Sequence, residues 1–157
     1  MRYHLVVVGK LREKWLQRGC QEYIKRLQRW GKVVISEVPD EPCPKGKVNQ
    51  QLALEKEGNR ILSRIKPRSV VVALDIQGKS LTSPGLAGWL HELSLRGRSD
   101  ITFIVGGSLG LSSLVLTRAD LRWSFSDLTF PHQLMRLILL EQIYRACKIN
   151  AGETYHK

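Results

Sequence analysis

The stretch Ile101 to Ser112, ITFIVGGSLGLS, runs from an apolar segment of strand type into two glycines, a serine and a third glycine. Gly106, Ser108 and Gly110 satisfy G-x-S-x-G, the spacing of a nucleophile elbow, in which a strained strand-to-helix turn raises a serine for acyl transfer. Such a serine needs an acid and then a histidine later in the chain, and Asp120 or Asp127 followed by His132 or His156 supplies that order. It also needs an oxyanion hole with an amide from a glycine-rich loop after an early strand. The early loops provide only Gly9-Lys10 and the prolines after Val38, and too few strands precede Ser108 for a hydrolase sheet. Phosphate-binding patterns fail on spacing, because G-x-G-x-x-G needs a glycine at 108 and a P-loop needs Gly-Lys closing the turn. What is left for Gly106 and Gly107 is a backbone role. They form either a plain strand exit or a turn that approaches a ligand with no Cβ in the way, and residue types alone leave both open.

Other reactive groups are sparse. Cys20, Cys43 and Cys147 lie far apart with no C-x-x-C pair, so neither a zinc site nor a disulfide framework is expected and a reducing cytoplasm fits. Lys and Arg number 25 against 14 Asp and Glu, a formal charge of +11, which favours a polyanionic partner. Lys14, Arg18, Lys25, Arg26 and Arg29 would put part of that charge on one helix as a phosphate-contacting face. The apolar run before Lys10 is too short for a signal peptide. LMRLILL around Met135 is broken by Arg136 and followed by Glu141, which excludes a membrane span there.

The elements that must position these groups alternate in type. Tyr3 to Val8 reads as a β-branched strand, and a helix over Glu13 to Trp30 follows with Leu16, Cys20, Tyr23, Ile24 and Leu27 at helical spacing. Lys32 to Val38 alternates as a strand, and the proline-rich PDEPCPKGK is an exposed loop. Gln50 to Lys66 predicts a helix with Leu52, Leu54, Ile61, Leu62 and Ile65 inward, weakened by Gly58. Val70 to Leu74 is an apolar strand with a tight exit at Asp75 to Gly78. A helix capped by Ser83 runs to Gly97. Ile101 to Val105 and the short Leu121 to Ser124 are further strands, and a long helix starts with Pro131 at its first position. The pattern predicts one domain, an α/β three-layer sandwich around a mostly parallel sheet. Ligands of such sheets bind at the carboxyl ends of strands, so LDIQG, VGGSLG and FSDLTF are expected to share one pocket.

Together with WSFSDLTFPHQLMRLILLEQIYRACKI and GETYHK downstream of it, the glycine turn resembles the bacterial large-subunit rRNA methyltransferase H family, a single-domain branch of the SPOUT methyltransferases. The resemblance covers essentially the whole chain, from LVVVGKLREKW and EYIKRL through LDIQGK, IVGGSLG and LTFPHQLMR to YHK. It implies a SPOUT-type fold over residues 1–157, with a C-terminal trefoil knot that forms an S-adenosylmethionine pocket. It implies a cytoplasmic homodimer, without metal or membrane, that methylates N3 of a pseudouridine in 23S rRNA of the assembled 70S ribosome. By position, the cofactor contacts fall at Leu74, at Gly106 and at Phe125, Ser126, Asp127, Leu128, Thr129 and Phe130. The catalytic set is Glu141, Arg145, Tyr155, His156 and Lys157, with the tail from about 149 to 157 completing the active site across the dimer interface. In that set Arg145 and Lys157 steady developing imidate oxygens, and His156 or Glu141 accepts or relays the proton. Lys157 departs mildly from the family pattern, where arginine also occurs. A serine hydrolase using Ser108 and a non-catalytic ribosome-binding protein are the alternatives.

Overall fold

A computed structural model describes residues 1–42 and 45–155; Cys43, and the catalytic expectations for His156 and Lys157, lie outside the described residues. The elements run β1 (Arg2–Val8), α1 (Lys14–Leu27), β2 (Lys32–Val38), α2 (Lys47–Leu62), β3 (Val70–Ser80), α3 (Ser83–Leu95), β4 (Asp100–Val105), α4 (Ser113–Arg118), β5 (Leu121–Ser124) and α5 (His132–Asn150). The strands form one sheet in the order β2-β1-β4-β3-β5, and every pairing is parallel. An all-parallel sheet must be covered on both faces, which is why Leu5 to Val8 of β1 and Val70 to Ala73 of β3 are apolar at every position rather than at alternate ones. In β1, Leu5 and Val7 pack toward α1, α3 and α5, while Val6 and Val8 pack toward α2 and α4. All four are buried, and each contributes roughly 1.5–3 kcal/mol of burial.

Several boundaries differ from expectation for identifiable reasons. β3 does not stop at Leu74: Asp75 to Gly78 bulge outward, and Lys79 and Ser80 pair again with Trp123 and Ser124 of β5. Gly78 permits this, because a Cβ there would meet the Arg122 carbonyl carbon at 2.6 Å. α2 buries Ala53, Glu57, Gly58 and Ile61 and leaves Leu52 exposed, so its inward face is rotated from the leucine-based one. Gly58 does not weaken this helix; it lets α2 close on α4, where any Cβ would collide with the Ser112 hydroxyl. α4, six residues long and with Val115 as its buried residue, is too short to show a helical period and was not expected. Thr82, not Ser83, caps α3, its hydroxyl accepting from the Gly85 N–H at 3.1 Å, and Pro131 caps α5 from just outside the helix.

Candidate active site

β4, β3 and β5 are neighbours in the sheet, so the loops leaving their carboxyl ends meet. They enclose a cavity of about 270 Å³ lined by residues of all three. Leu74, Phe125, Ser126, Leu128, Thr129 and Phe130 line it as expected, and Gly106 and Asp127 do not.

Gly106 acts one step behind the wall. A Cβ on it would stand 2.5 Å from the carbonyl oxygen of Gly110, so only glycine lets the chain reverse this tightly. The reversal is closed by the Gly110 N–H donating to the Gly107 carbonyl at 3.1 Å, with Gly110 at φ +85°. Gly107 lines the cavity, and on its other side a Cβ would stand 3.0 Å from Val8, 3.3 Å from Asp40 and 3.4 Å from Glu57. The turn is therefore one residue thick, with a cavity on one side and a carboxyl pair on the other. Burial pushes the Glu57 carboxyl up; the bond it accepts from the Glu41 N–H at 2.8 Å pulls it back, and the neighbouring Asp40 and Glu41 carboxylates push it up again.

The loop after β5 is held by a serine turn. Ser126 Oγ accepts from the Leu128 N–H at 3.0 Å, and Ser124 Oγ donates to the Ser126 carbonyl at 3.2 Å. This leaves Leu128 70% exposed beside the cavity, an apolar side chain with an open face. Trp123 and Phe125 stack at 4.2 Å on the opposite wall. The Trp123 indole N–H is buried and finds no acceptor among the described residues. Asp75 at the rim is paired with Arg122 at 2.7 and 2.5 Å. Asp75, Ile76, Gly107, Ser108, Gly110, Leu111, Trp123, Ser124 and Met135 complete the lining without having been singled out as cofactor contacts. Most are immediate chain neighbours of expected residues; only Met135, from the first turn of α5, required the helix to dock.

The elbow geometry is absent. Ser108 lines the cavity but bonds to no described histidine or acid, and among the described residues no non-glycine has positive φ. Asp120 lies at the other end of the sheet, accepting from the Val71 N–H at 2.7 Å and paired with Arg118 at 3.3 Å. The His132 ring packs on Gly9. Beside it the fully buried Arg136 ties α5 to the end of β1, donating to the Val8 and Gly9 carbonyls at 3.0 and 2.7 Å and pairing with Glu37 at 2.8 Å.

Glu141, Arg145 and Tyr155 are brought together, but away from this cavity. Glu141 lies six residues beyond Met135, about 9 Å along the helix. Its carboxylate accepts from Arg145 Nε and Nη2 at 3.0 and 2.6 Å, from the Tyr155 hydroxyl at 3.1 Å and from Gln142 at 2.7 Å. The Arg145 guanidinium stacks on Tyr155 at 4.7 Å, and Tyr144 meets that ring edge-on at 5.0 Å. Burial, the bond to Tyr23 and the Glu141 charge raise the Tyr155 phenol above its usual range, so it stays a donor. Among the described residues no group of three or more His, Cys, Asp or Glu could hold a metal ion.

The family described as "Predicted SPOUT methyltransferase" matches residues 1–156. Proteins named ribosomal RNA large subunit methyltransferase H resemble the chain over its whole length. That of Clostridioides difficile strain 630 is 53% identical, covering 100% of both chains. That of Desulfitobacterium hafniense strain DCB-2 is 52% identical, covering 98% of this chain and 97% of the other. That of Bacillus pumilus strain SAFR-032 is 50% identical, covering 100% of both. A solved structure of a probable methylase family protein from Haemophilus influenzae Rd KW20 superposes with a TM-score of 0.51 at 12% identity, over 99% of this chain and 70% of that one, a likeness of fold.

Proposed function

The chain belongs to the SPOUT methyltransferase family, and on that premise we propose that it methylates large-subunit ribosomal RNA, at N3 of a pseudouridine in 23S rRNA of the assembled ribosome. Full-length relatives at about half identity carry the rRNA methyltransferase name. The observation that supports the assignment of the cofactor is the convergence of three strand exits on one cavity with apolar and backbone walls. When bound, S-adenosylmethionine would supply a methyl carbon to the acceptor nitrogen in line, its bond to sulfur breaking to leave the thioether S-adenosylhomocysteine. Leu74, Leu128 and Phe130 offer apolar walls for its heteroaromatic ring. The backbone of the turn that Gly106 closes offers amides and carbonyls.

The proposal includes a homodimer. Glu141, Arg145 and Tyr155 sit clear of their own cavity on the face shared by α1 and α5, where a second copy would receive them. With Glu141 occupied by Arg145, Tyr155 and Gln142, its part is to hold Arg145 and Tyr155 in place. Arg145 and Lys157 then steady the imidate oxygens, and the N3 proton goes to His156. The premise also includes a trefoil knot in the C-terminal part; β4, inserted between β1 and the earlier β3, is consistent with such threading. Cytoplasmic placement follows from the substrate, and no described helix is long and apolar enough to cross a membrane.

The test is incubation of purified 70S ribosomes, and separately of deproteinised 23S rRNA, with the protein and methyl-labelled S-adenosylmethionine. Nucleosides are then identified by mass. N3-methylpseudouridine from ribosomes and not from free RNA is the expected product; unlabelled RNA in both overturns the assignment.

A further inference from the structure

In an all-parallel sheet every strand begins at the same edge, so the charges that precede the strands collect there whatever their distance in sequence. Arg2 opens β1, Lys32 opens β2, Arg68 lies two residues before β3, Arg98 two before β4, and Arg118 three before β5. Arg64, Lys66 and Arg96 occupy the same connections. Against these eight cations stand Glu92, Asp100 and Asp120. Asp100 is shared between Arg2 at 3.4 Å and Lys66 at 3.6 Å, Glu92 pairs with Arg96 and Asp120 with Arg118. Lys32, Arg64, Arg68 and Arg98 are exposed and form no ion pair with any described residue. Arg68 and Arg98 flank a single cleft whose remaining lining is Gly97, Ser99 and Asp100. The local field reaches into the sheet: the His4 imidazole, bonded to Ser36 at 2.8 Å, is held below its usual range by burial and then by the Lys66 and Arg64 charges.

The opposite edge is different. There Lys10 and Arg12 share the surface with Glu37, Asp40 and Asp75. The α1 cations expected to contact phosphate are partly engaged as well: Arg26 pairs with Glu22 and stacks on Tyr23, and Arg29 pairs with Glu153 and stacks on Trp30. Lys14, Arg18 and Lys25 of α1 stay exposed without an ion pair among the described residues, so the amino edge of the sheet is a second unneutralised cluster, gathered from connections far apart in sequence rather than along one helix. It is separated from the cavity by the Val70 to Leu74 span of β3, about 13 Å of strand.

We propose that the amino edge of the sheet is a second RNA-binding surface, distinct from the methyl-transfer cavity, that grips a phosphate backbone through Arg64, Arg68 and Arg98. Guanidinium forks bind phosphate oxygens bidentately, and four exposed cations with no carboxylate partner among the described residues complement a polyanion. This rests on the ribosomal RNA assignment and deepens it. Two separated contacts demand RNA segments held at fixed spacing, which an assembled ribosome presents and a free, flexible RNA does not.

The test compares Arg68→Gln/Arg98→Gln and Arg64→Glu with a control of matched charge change on the exposed side of α2, Lys56→Glu. Binding to purified 70S ribosomes is measured by sedimentation across a salt series, alongside methyl transfer and S-adenosylmethionine affinity. Each lost phosphate contact should weaken ribosome binding roughly tenfold near 0.1 M salt and lower the slope of log K against log salt by about one. KM for ribosomes rises, while kcat and cofactor affinity stay at wild-type values, which also shows that the variants fold. Patch variants that bind like wild type, or no more weakly than the control, overturn the second surface and leave the ribosomal assignment standing. A wild-type protein that neither binds nor methylates ribosomes overturns both.

Discussion

Replacing Gly106 by alanine tests whether the glycine turn is built for close backbone approach. The added Cβ would lie 2.5 Å from the Gly110 carbonyl oxygen, 2.8 Å from its carbon and 3.0 Å from Leu111 Cδ2. An ordinary contact begins near 3.4 Å, so the turn must spread by about 0.9 Å at a backbone atom that cannot rotate away. Overpacking of that kind costs roughly 1–3 kcal/mol. Opening the turn also strains the Gly110 to Gly107 bond, adding about 1 kcal/mol. The sum, about 2–4 kcal/mol, divides between folding and cofactor binding, because the deformed turn is a cavity wall. Urea denaturation and calorimetric titration with S-adenosylmethionine measure the two parts. A share of about 1.4 kcal/mol in binding would appear as a tenfold rise in Kd. Ser108→Ala, one residue beyond the same wall, should keep methyl transfer. Gly106→Ala with both stability and cofactor Kd unchanged would refute the account of the turn.

Glu57, with its carboxyl raised by burial, holds a proton in the folded protein at pH values where the unfolded chain has released it. Its contribution to stability is therefore present below the usual carboxylate pKa and is lost as pH rises through the raised value. Glu57→Gln should flatten the fall in urea midpoint between pH 4.5 and 7.5, and an identical fall in both proteins removes Glu57 as its cause. Deleting Tyr155 to Lys157 should abolish methyl transfer to ribosomes and spare cofactor binding; full activity in the truncated protein would remove the tail from the site.

Much of the site was readable before folding because its pieces are local. Val70 to Leu74 and Ile101 to Val105 are apolar without alternation, which states that both faces are covered, and glycines or turn residues follow each of them. The rule that parallel sheets bind ligands at strand exits then groups three loops into one cavity. Failures occurred where the deciding contact was distant. The inward face of α2 could not be taken from its leucines, because Gly58 packs against Ser112 and sets the rotation of the helix. That a Cβ on Gly106 would meet the Gly110 carbonyl likewise depends on how the turn closes, which residue types do not state. α4 lacked the length for a period, and the return of β3 onto β5 depends on Gly78 lying over Arg122.

Sequence alone determined the alternation of elements, the basic balance and the family, since these depend on residue types and their spacing along one chain. Tertiary structure decided that Tyr155 folds back onto Glu141 and Arg145 away from their own cavity, that three strand exits share one cavity, and that scattered arginines share one edge. The physical reason is that each depends on how separate elements pack and run relative to one another. Strand order is set by packing both faces of the sheet at once, and no local window of the chain contains that information.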